Sequence, residues 1–404
     1  MTIELSNITF TEQDDIVPPS GVEPIFNTGI PNTLAGNDIL TATWATISDG
    51  IIIDPSKYSL GAILGFYNTG TLNTADGNDQ IKGIIQNPTL QGYFGAALYN
   101  ERGTIDTGDG DDIIIGSHNE NVDPQYVNGY GIYNIGIIDT GDGNDIITGI
   151  TKGGGGFATY GGSIITGNGN DTITGIASST SNFGGSGLAN DYGNIDTGSG
   201  NDIITGTGMA GLQNYSTITT SSGNDIITGT GTSDRGILNA SSSFSKIGNI
   251  NTGDGDDIIT GMSTDNYSID NLSLSIIDTG DGNDVITAIG GLGIRNQGTI
   301  NTGNGNDSLI ANEGFISNNT TGNVFLGNGK DYLKSFGKGI FNGGKGQDTL
   351  ELTPGSYTVG ISETTVNFIK GSTIMETSDF EILIAGNTTY RIRRLTEGQT
   401  IFVA

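Results

Sequence analysis

One short segment recurs through most of the chain and limits the folds open to it. The segment Ile138-Asp-Thr-Gly-Asp-Gly-Asn-Asp-Ile-Ile-Thr-Gly149 returns almost unchanged at Ile105–Gly116, Ile195–Gly206, Ile250–Gly261, Ile277–Ala288 and Ile300–Ala311. We call the aspartate after the last glycine the marker aspartate; its twelve copies are Asp38, Asp79, Asp112, Asp145, Asp171, Asp202, Asp225, Asp257, Asp284, Asp307, Asp331 and Asp348. Neighbouring markers lie 17 to 41 residues apart. A constant unit with spacers of variable length is typical of a solenoid whose coils carry loops.

Alternation on both sides of the turn predicts strands. The residue two positions after the marker is Ile or Leu in all twelve copies, and apolar residues such as Ile105 and Ile138 precede polar ones before the turn. A third element places Asn two positions after an apolar residue, as in Leu98-Tyr-Asn100, and stacked asparagines can form an amide ladder. Period two indicates short strands with one face inward. The sequence therefore predicts an all-β fold, a parallel β-solenoid (β-helix or β-roll-like) of about twelve coils with three short strands each.

The solenoid has two flanking regions, so we expect three parts: 1–32, 33–351 and 352–404. The first carries no repeat; Thr2–Phe10 is expected to be one strand, and the region an N-terminal cap or a strand for assembly with another subunit. The last is expected to form a C-terminal β cap and a type I secretion signal. Its expected strands are Tyr357–Ile361, Thr365–Lys370, Phe380–Ala385 and Thr388–Arg394. Gly116–Gly129 and Ser178–Gly187 are expected to be protruding loops.

Charge and composition exclude several classes of protein. The chain has 404 residues with 15 Lys and Arg, 44 Asp and Glu and no Cys, giving a net charge of −29. Such a chain repels nucleic acid and anionic membranes, and it offers no disulfide or thiolate metal site. No apolar segment reaches the about 18 residues that span a bilayer, so no membrane insertion is expected. The N-terminus lacks the features of a secretory signal peptide. Two locations are therefore open: the cytoplasm, or the outside of the cell by an export route that does not recognise the N-terminus.

The turn supplies only oxygen ligands. Its commonest form, Thr-Gly-Asp-Gly-Asn-Asp, places carboxylates and the carbonyls of a tight glycine turn together, and such ligands suit Ca²⁺ better than Mg²⁺. A single acidic turn could be a solvated loop, but stacking carboxylates at the spacing of strands without a cation is strongly repulsive. All twelve marker aspartates are therefore predicted to bind calcium ions.

The repeat resembles the RTX nonapeptide of haemolysin-type calcium-binding proteins, Gly-Gly-x-Gly-x-Asp-x-(Leu/Ile)-x. Gly343-Gly-Lys-Gly-Gln-Asp-Thr-Leu-Glu351 fits it at every position, and the resemblance covers about residues 33 to 351. It implies a β-roll in which marker carboxylates and turn carbonyls hold multiple Ca²⁺ between neighbouring coils. It also implies weaker contributions from Asp109, Asp142, Asp254 and Asp281, and type I export directed by an uncleaved C-terminal segment.

The chain departs from the RTX pattern in several places. Most copies lie more than 22 residues apart, which favours one calcium-binding edge where the family has two. Leu34, Ala75 and Ser221 replace the second glycine, which puts the sites at Asp38, Asp79 and Asp225 in question. Lys330 lies inside the turn of Asp331, where it is placed to substitute for a cation.

These observations favour a secreted, calcium-binding structural protein of a bacterial cell surface or extracellular matrix, with surface polysaccharide as a further possible partner. We do not expect an enzyme. A polysaccharide lyase or epimerase on a β-helix is one alternative, but His118 is the single histidine and is expected to lie in a loop. An ice-binding or adhesin module is another, although the outward row at Asp142 is mostly Asp, Asn or Ser and not Thr.

The position after the marker is expected to point outward and yet is often apolar. It is occupied by Ile39, Ile113, Ile146, Ile203, Ile226, Ile258 and Val285. An exposed apolar stripe usually marks an interaction site. We therefore expect the calcium-loaded protein to self-associate into filaments or sheets.

Overall fold

The computed structural model describes residues 3–17, 25–32, 36–44, 62–86, 94–119, 128–178, 185–241, 247–316 and 322–404. The chain divides into two compact units, Met1–Gln213 and Asn214–Ala404. In each, most coils contribute one strand to each of three sheets: sheet A, then sheet C, then, after the marker turn, sheet B. The repeating coils pair in parallel, which confirms the predicted β-solenoid. Among the described residues, no helix has the length and hydropathy needed to cross a membrane.

The N-terminal unit begins with the first strands of sheets A and B. Its strands of sheet A are Ile3–Glu4, Ile25–Asn27, Ala62–Asn68, Phe94–Asn100, Asn128–Asn134, Phe157–Tyr160, Ser186–Asp191 and Ala210–Asn214. Its strands of sheet B are Ile16–Val17, Ile39–Trp44, Gln80–Gln86, Ile113–Asn119, Ile146–Thr151, Thr172–Ala177 and Ile203–Gly208. Its strands of sheet C are Thr71–Asn73, Thr104–Asp106, Ile137–Asp139, Ser163–Ile165 and Asn194–Asp196.

The C-terminal unit repeats this arrangement and ends in antiparallel strands. Its strands of sheet A are Ile237–Asn239, Ile269–Asn271, Ile294–Asn296 and Phe315–Ile316. Those of sheet B are Ile226–Gly231, Ile258–Ser263, Val285–Gly290, Ser308–Ala311, Tyr332–Lys334, Thr349–Leu352, Ile382–Ala385 and Thr388–Arg391. Those of sheet C are Thr217–Thr219, Asn249–Asn251, Ile276–Asp278, Thr299–Asn301, Asn323–Phe325, Gly339–Asn342, Gly355–Ile361, Val366–Lys370, Thr373–Ser378 and Thr400–Val403. Asn328–Gly329 and Lys345–Gly346 form a two-stranded sheet.

The core of each coil is a column of aliphatic side chains. In sheet B of the N-terminal unit, Ile114, Ile147 and Ile173 lie opposite one another in successive strands, and all three are fully buried. The predicted inward position, two residues after each marker, is fully buried in all twelve copies. Each such side chain contributes roughly 1.5–3 kcal/mol relative to its exposed state. The alternation in the sequence therefore identified the core directly.

A ladder of buried asparagine amides forms the corner after sheet A, as the sequence predicted. The Nδ2 group of Asn68 donates to Oδ1 of Asn100, and Asn100 donates to Asn134, each over 2.8 Å. In the C-terminal unit the same ladder joins Asn239 to Asn271 over 3.0 Å. Each amide also bonds backbone carbonyls near the corner, so the ladder satisfies the polar groups of a buried bend.

One detail near the N-terminus and two at the C-terminus correct the expected strands. Thr2–Phe10 is not one strand: Ile3–Glu4 is followed by the 3-10 turn Leu5–Asn7, because the Ile8 N–H bonds the Leu5 carbonyl and buries Leu5. At the C-terminus, Thr373–Ser378 and Thr400–Val403 are additional strands that the mixed polar sequence did not reveal. Their antiparallel pairing with Val366–Lys370 and Gly355–Ile361 forms the C-terminal β region.

His118 does not lie in a loop. It belongs to strand Ile113–Asn119, and its side chain is 1% exposed because the strand pairs with Gln80–Gln86 along its whole length. A Cβ on Gly129 would contact the His118 ring, so the imidazole packs against glycine backbone. Residues 120–127 and 179–184 of the two expected loops lie outside the described residues.

Loss of one amide from the corner ladder should destabilise the fold. Asn100→Ala removes three donated hydrogen bonds and leaves the Asn68 amide without its side-chain acceptor. We expect about 2–3 kcal/mol lower stability in urea unfolding, because buried polar groups lose their partners. Asn194→Ala, on the half-exposed outer face of sheet C, is the matched control and should change stability by less than about 0.5 kcal/mol. Equal effects of the two substitutions would contradict the role of the ladder.

Candidate metal centre

The marker turn depends on glycine because successive coils approach closely. Gly141 has a φ of +75°. A Cβ on Gly141 would lie 2.1 Å from the Gly108 carbonyl oxygen, and a Cβ on Gly143 would lie 1.7 Å from that of Gly110. Any side chain at these positions would therefore push the coils apart.

Two of the unusual turns keep the left-handed backbone in spite of their side chains. Ala75 has a φ of +59° and Ser221 a φ of +64°, close to the +77° of Gly108. The carboxylates of Asp79 and Asp225 are buried like those of the regular turns. Replacement of glycine at Ala75 and Ser221 therefore does not alter the path of the turn; Leu34 lies outside the described residues.

The marker aspartates form a buried column within each unit. Within each unit, Oδ1 of a marker accepts a hydrogen bond from the backbone N–H of the marker in the preceding coil. In the N-terminal unit the N–H groups of Asp79, Asp112 and Asp145 donate to Asp112, Asp145 and Asp171 over 2.7–2.8 Å. The same contact recurs through the C-terminal unit along the markers Asp225, Asp257, Asp284, Asp307, Asp331 and Asp348. Every marker is at most 1% exposed.

The second carboxylate oxygen of the column has no such partner. Among the described residues, Oδ2 is buried and accepts no hydrogen bond of normal geometry in the markers Asp79, Asp112, Asp145, Asp171, Asp257, Asp284, Asp307, Asp331 and Asp348. A buried carboxylate oxygen without a partner costs several kcal/mol, and nine with the same orphan atom cannot be an accident of packing. The column therefore fits a cation that the markers would bind through Oδ2.

The electrostatics of the column also favour a bound cation. Burial raises the pKa of Asp79 to about 6, of Asp112 to about 7 and of Asp145 to about 8. The backbone N–H groups and a threonine hydroxyl near each carboxylate lower these pKa values, but less than burial raises them. In the C-terminal unit, burial raises the pKa to about 7 for Asp284 and to about 6 for Asp307, Asp331 and Asp348. Because these pKa values lie near 7, ionising every carboxylate of the column at neutral pH costs free energy. A bound cation would remove that cost.

The remaining ligands would come from the backbone. Among the described residues, no group of three or more acidic or histidine side chains converges on one point. Each coil contributes one marker carboxylate, and the stacked glycine turns bring carbonyl oxygens of neighbouring coils next to each other. One carboxylate per coil together with carbonyls is a hard-cation donor set of the kind that Ca²⁺ accepts.

The weaker candidate ligands lie on the surface of the turn. Asp142 is exposed, and its Oδ1 accepts from the Asn168 side chain over 2.8 Å. Oδ1 of Asp281 accepts from Asn304 over 2.5 Å, and the row also contains Asp109 and Asp254. These residues form an exposed hydrogen-bonded row outside the column. Lys330 is likewise exposed, and within the described part of the chain its ammonium forms no ion pair with a marker.

Sequence reasoning missed the residues at both ends of the column and the threonines beside it. Oε2 of Glu381 accepts from the Asp348 N–H over 2.7 Å, and the Asp15 N–H donates to Asp38 over 2.8 Å. Glu381-Ile-Leu383 and Asp15-Ile-Val17 both repeat the spacing of a marker and its buried aliphatic residue, which could have identified them.

The threonine that opens each turn is buried beside the carboxylates. The hydroxyl of Thr252 donates to the Thr279 carbonyl over 3.2 Å, and Thr279 donates to Thr302 over 3.3 Å. This second ladder explains why the first glycine of the RTX pattern is usually Thr in this chain.

Comparison with known proteins gives a structural likeness. No protein-family model matches the chain, and no curated protein matches it. Among solved structures, the chain is similar to a hyperactive, Ca²⁺-dependent, beta-helical antifreeze protein from an Antarctic bacterium. The TM-score is 0.45 at 17% identity, over 87% of this chain and 77% of that chain.

Without metal, stability should fall as the pH rises. The folded-state pKa values of about 6 to 8 lie above the about 3.9 of an unfolded aspartate, so the folded column binds more protons between these limits. The contribution of the protonated column to the free energy of unfolding is therefore fully present below about pH 4 and is lost as the pH rises through 6 to 8. Circular dichroism in chelator from pH 4.5 to 8.5 measures this change as a loss of the β signal. Asp112→Asn with Asp145→Asn should flatten the profile, whereas the exposed control pair Asp111→Asn with Asp142→Asn should not.

Proposed function

We propose that this chain is a calcium-binding structural protein of the RTX type that folds when Ca²⁺ occupies the marker column. The observation that carries the proposal is the row of nine described marker carboxylates in which one oxygen bonds the neighbouring coil and the buried second oxygen accepts no hydrogen bond of normal geometry. Asp112, Asp145 and Asp171 would hold Ca²⁺ through Oδ2 in the N-terminal unit, as would the equivalent markers of the C-terminal unit. The ion supplies folding free energy, because the site does not exist in the unfolded chain.

An extracellular location follows from this coupling. Ca²⁺ sites of extracellular proteins bind at about 10⁻⁴–10⁻³ M, far above the calcium concentration of a cytosol. A chain with a net charge of −29 would stay unfolded and exportable before it meets calcium. We infer that the protein is secreted by a type I-like route and acts at a bacterial cell surface or in the extracellular matrix.

The chemistry of the surfaces favours a structural role over a catalytic one or ice binding. His118 is buried against glycine backbone, so it is not placed as a surface acid or base. The exposed row of the turn contains Asp109, Asp142 and Lys345, and such charged groups bind water unlike a flat threonine row. A structural scaffold needs only the repeated coils themselves.

Calcium should drive folding. In chelator at pH 8 the circular dichroism spectrum should show mostly coil, and addition of about 10⁻⁴–10⁻³ M Ca²⁺ should produce the β signal. Mg²⁺ at the same concentration is the control and should have little effect, because it requires a near-octahedral shell and retains its waters. A protein that is equally folded in chelator and in calcium would contradict the proposal.

Asp145→Asn should change stability in opposite directions with and without calcium. The amide removes a buried charge whose pKa is raised to about 8, so at pH 9 the metal-free fold should gain stability. The calcium-bound fold should lose about 1–3 kcal/mol, because one charged ligand is absent. In chelator, where the wild type is mostly coil, the β signal of circular dichroism measures the gain, and urea unfolding in calcium measures the loss. Asp142→Asn, on the exposed row, is the control and should change neither by more than about 0.5 kcal/mol.

A further inference from the structure

In sheet B, Gln80 and Lys82 of one strand and Tyr332, Lys334 and Glu351 of two others point outward. In the strands between them in the sequence, the outward face contains only uncharged side chains, which apart from Met262 are aliphatic or hydroxyl. We call it the neutral face. In the N-terminal unit it consists of Ile113, Ile115, Ser117, Ile146, Thr148, Ile150, Thr172, Thr174, Ile176, Ile203, Thr205 and Thr207. In the C-terminal unit it consists of Ile226, Thr228, Thr230, Ile258, Thr260, Met262, Val285, Thr287 and Ile289. No residue of the neutral face is charged, although the chain has 44 acidic and 15 basic residues.

The described residues leave the neutral face uncovered. All its side chains are half-buried or exposed, and Ile146 is 41%, Ile203 39% and Ile258 39% exposed. The outer face of sheet A differs: Tyr67 and Tyr99 on it are 8% and 3% exposed within an aromatic cluster. Parallel sheets are normally covered on both faces. The neutral face therefore calls for a partner outside these residues.

We propose that the partner is a second copy of this chain, packed neutral face against neutral face in a closed dimer. The charge distribution selects this occupant: two chains of net charge −29 repel each other least where neither carries a charged group. The neutral face also lacks the carboxylate, amide and aromatic side chains that hydrogen-bond or stack on sugars, so a polysaccharide would find few polar partners. Aliphatic and threonine rows, by contrast, are complementary to themselves.

The geometry of the face suits sheet-on-sheet packing. Nearly all its residues are β-branched and thus rigid at χ1, and two sheets of this kind pack about 10 Å apart with interdigitated side chains. Four strands about 4.8 Å apart and five residues long span a flat area of roughly 300 Å² in the N-terminal unit. Stable dimers bury about 800 Å² per partner, so the contact belongs to the weak, reversible class. Because the same patch of the N-terminal unit serves both copies, this contact by itself closes at the dimer.

This inference rests on the proposed function, since the face exists only in the folded, calcium-loaded chain. Sedimentation velocity of the full chain in 5 mM Ca²⁺, from about 1 to 100 µM protein, should show a concentration-dependent shift from the monomer to twice its mass. Added NaCl should strengthen the dimer, because salt screens the repulsion between the acidic chains. Circular dichroism of the same samples separates the two claims: absence of calcium-induced folding defeats the proposed function, and a folded monomer defeats only the dimer.

Matched variants locate the contact. Ile146→Glu with Thr174→Glu on the neutral face should weaken dimerisation at least tenfold. Thr104→Glu with Ser163→Glu, on the half-exposed outer face of sheet C, adds the same charge and should leave it unchanged. Should the first pair fail to fold, Ile146→Thr with Ile203→Thr keeps the β-branched shape and should still weaken the dimer.

Three results would overturn the proposal. The first is a folded wild-type monomer at 100 µM, and the second is a ladder of larger species that the neutral-face variants do not change, which indicates head-to-tail assembly. The third is a monomer whose neutral face binds ice, seen as shaped ice crystals that the neutral-face variants abolish.

Discussion

The column of buried marker carboxylates is the constraint on which the rest of the structure depends. Parallel coils stack at the spacing of β-strands, so a carboxylate in each coil meets another like charge a strand away. In nine of the markers the fold uses one carboxylate oxygen to bond the neighbouring coil and buries the other without a hydrogen bond of normal geometry. A proton or a cation must neutralise this arrangement, and the oxygen-only surroundings favour a hard cation.

The other repeated features hold the marker carboxylates of successive coils in register. Glycines such as Gly143 let neighbouring turns approach to a distance that no Cβ would allow. The threonine hydroxyls and the asparagine amides form two further ladders that hold the coils in the same register as the carboxylates. The buried Ile and Leu columns supply most of the apolar stabilisation but no selectivity for an ion. The register of the strands, the hydrogen bonds of the buried polar groups and the positions of the carboxylates thus favour the same arrangement of each coil.

The sequence predicted the repeated part of the fold well because every copy of the unit has the same pattern of buried and exposed positions. Period two placed Ile147 inward and Ile146 outward, and the recurrence of Asn100 and Asn134 predicted the corner ladder. Prediction failed where the repeat is interrupted. His118 lies six residues after Asp112, on the inward side of the alternation, but the prediction ended the strand before it. The 3-10 turn at Leu5–Asn7 has no periodic signal.

The candidate site was only partly predictable. The marker aspartates could be selected by their position, but whether Asp145 was a solvated loop residue or a buried carboxylate depended on the packing of neighbouring coils. Ala75 and Ser221 suggested broken turns, yet both adopt the left-handed backbone because the surrounding ladders fix the coil. Glu381 completes the column at its C-terminal end although it lies beyond the glycine-rich repeats.

A crystal structure of the protein grown with Ca²⁺, with a second data set in which Tb³⁺ replaces it, tests the central claim most directly. The account predicts a line of ions beside Oδ2 of Asp112, Asp145 and Asp171, each completed by turn carbonyls and visible in the anomalous signal of Tb³⁺. Markers whose Oδ2 atoms bind protons or water in saturating calcium, with ions only at exposed residues such as Asp142, would contradict it.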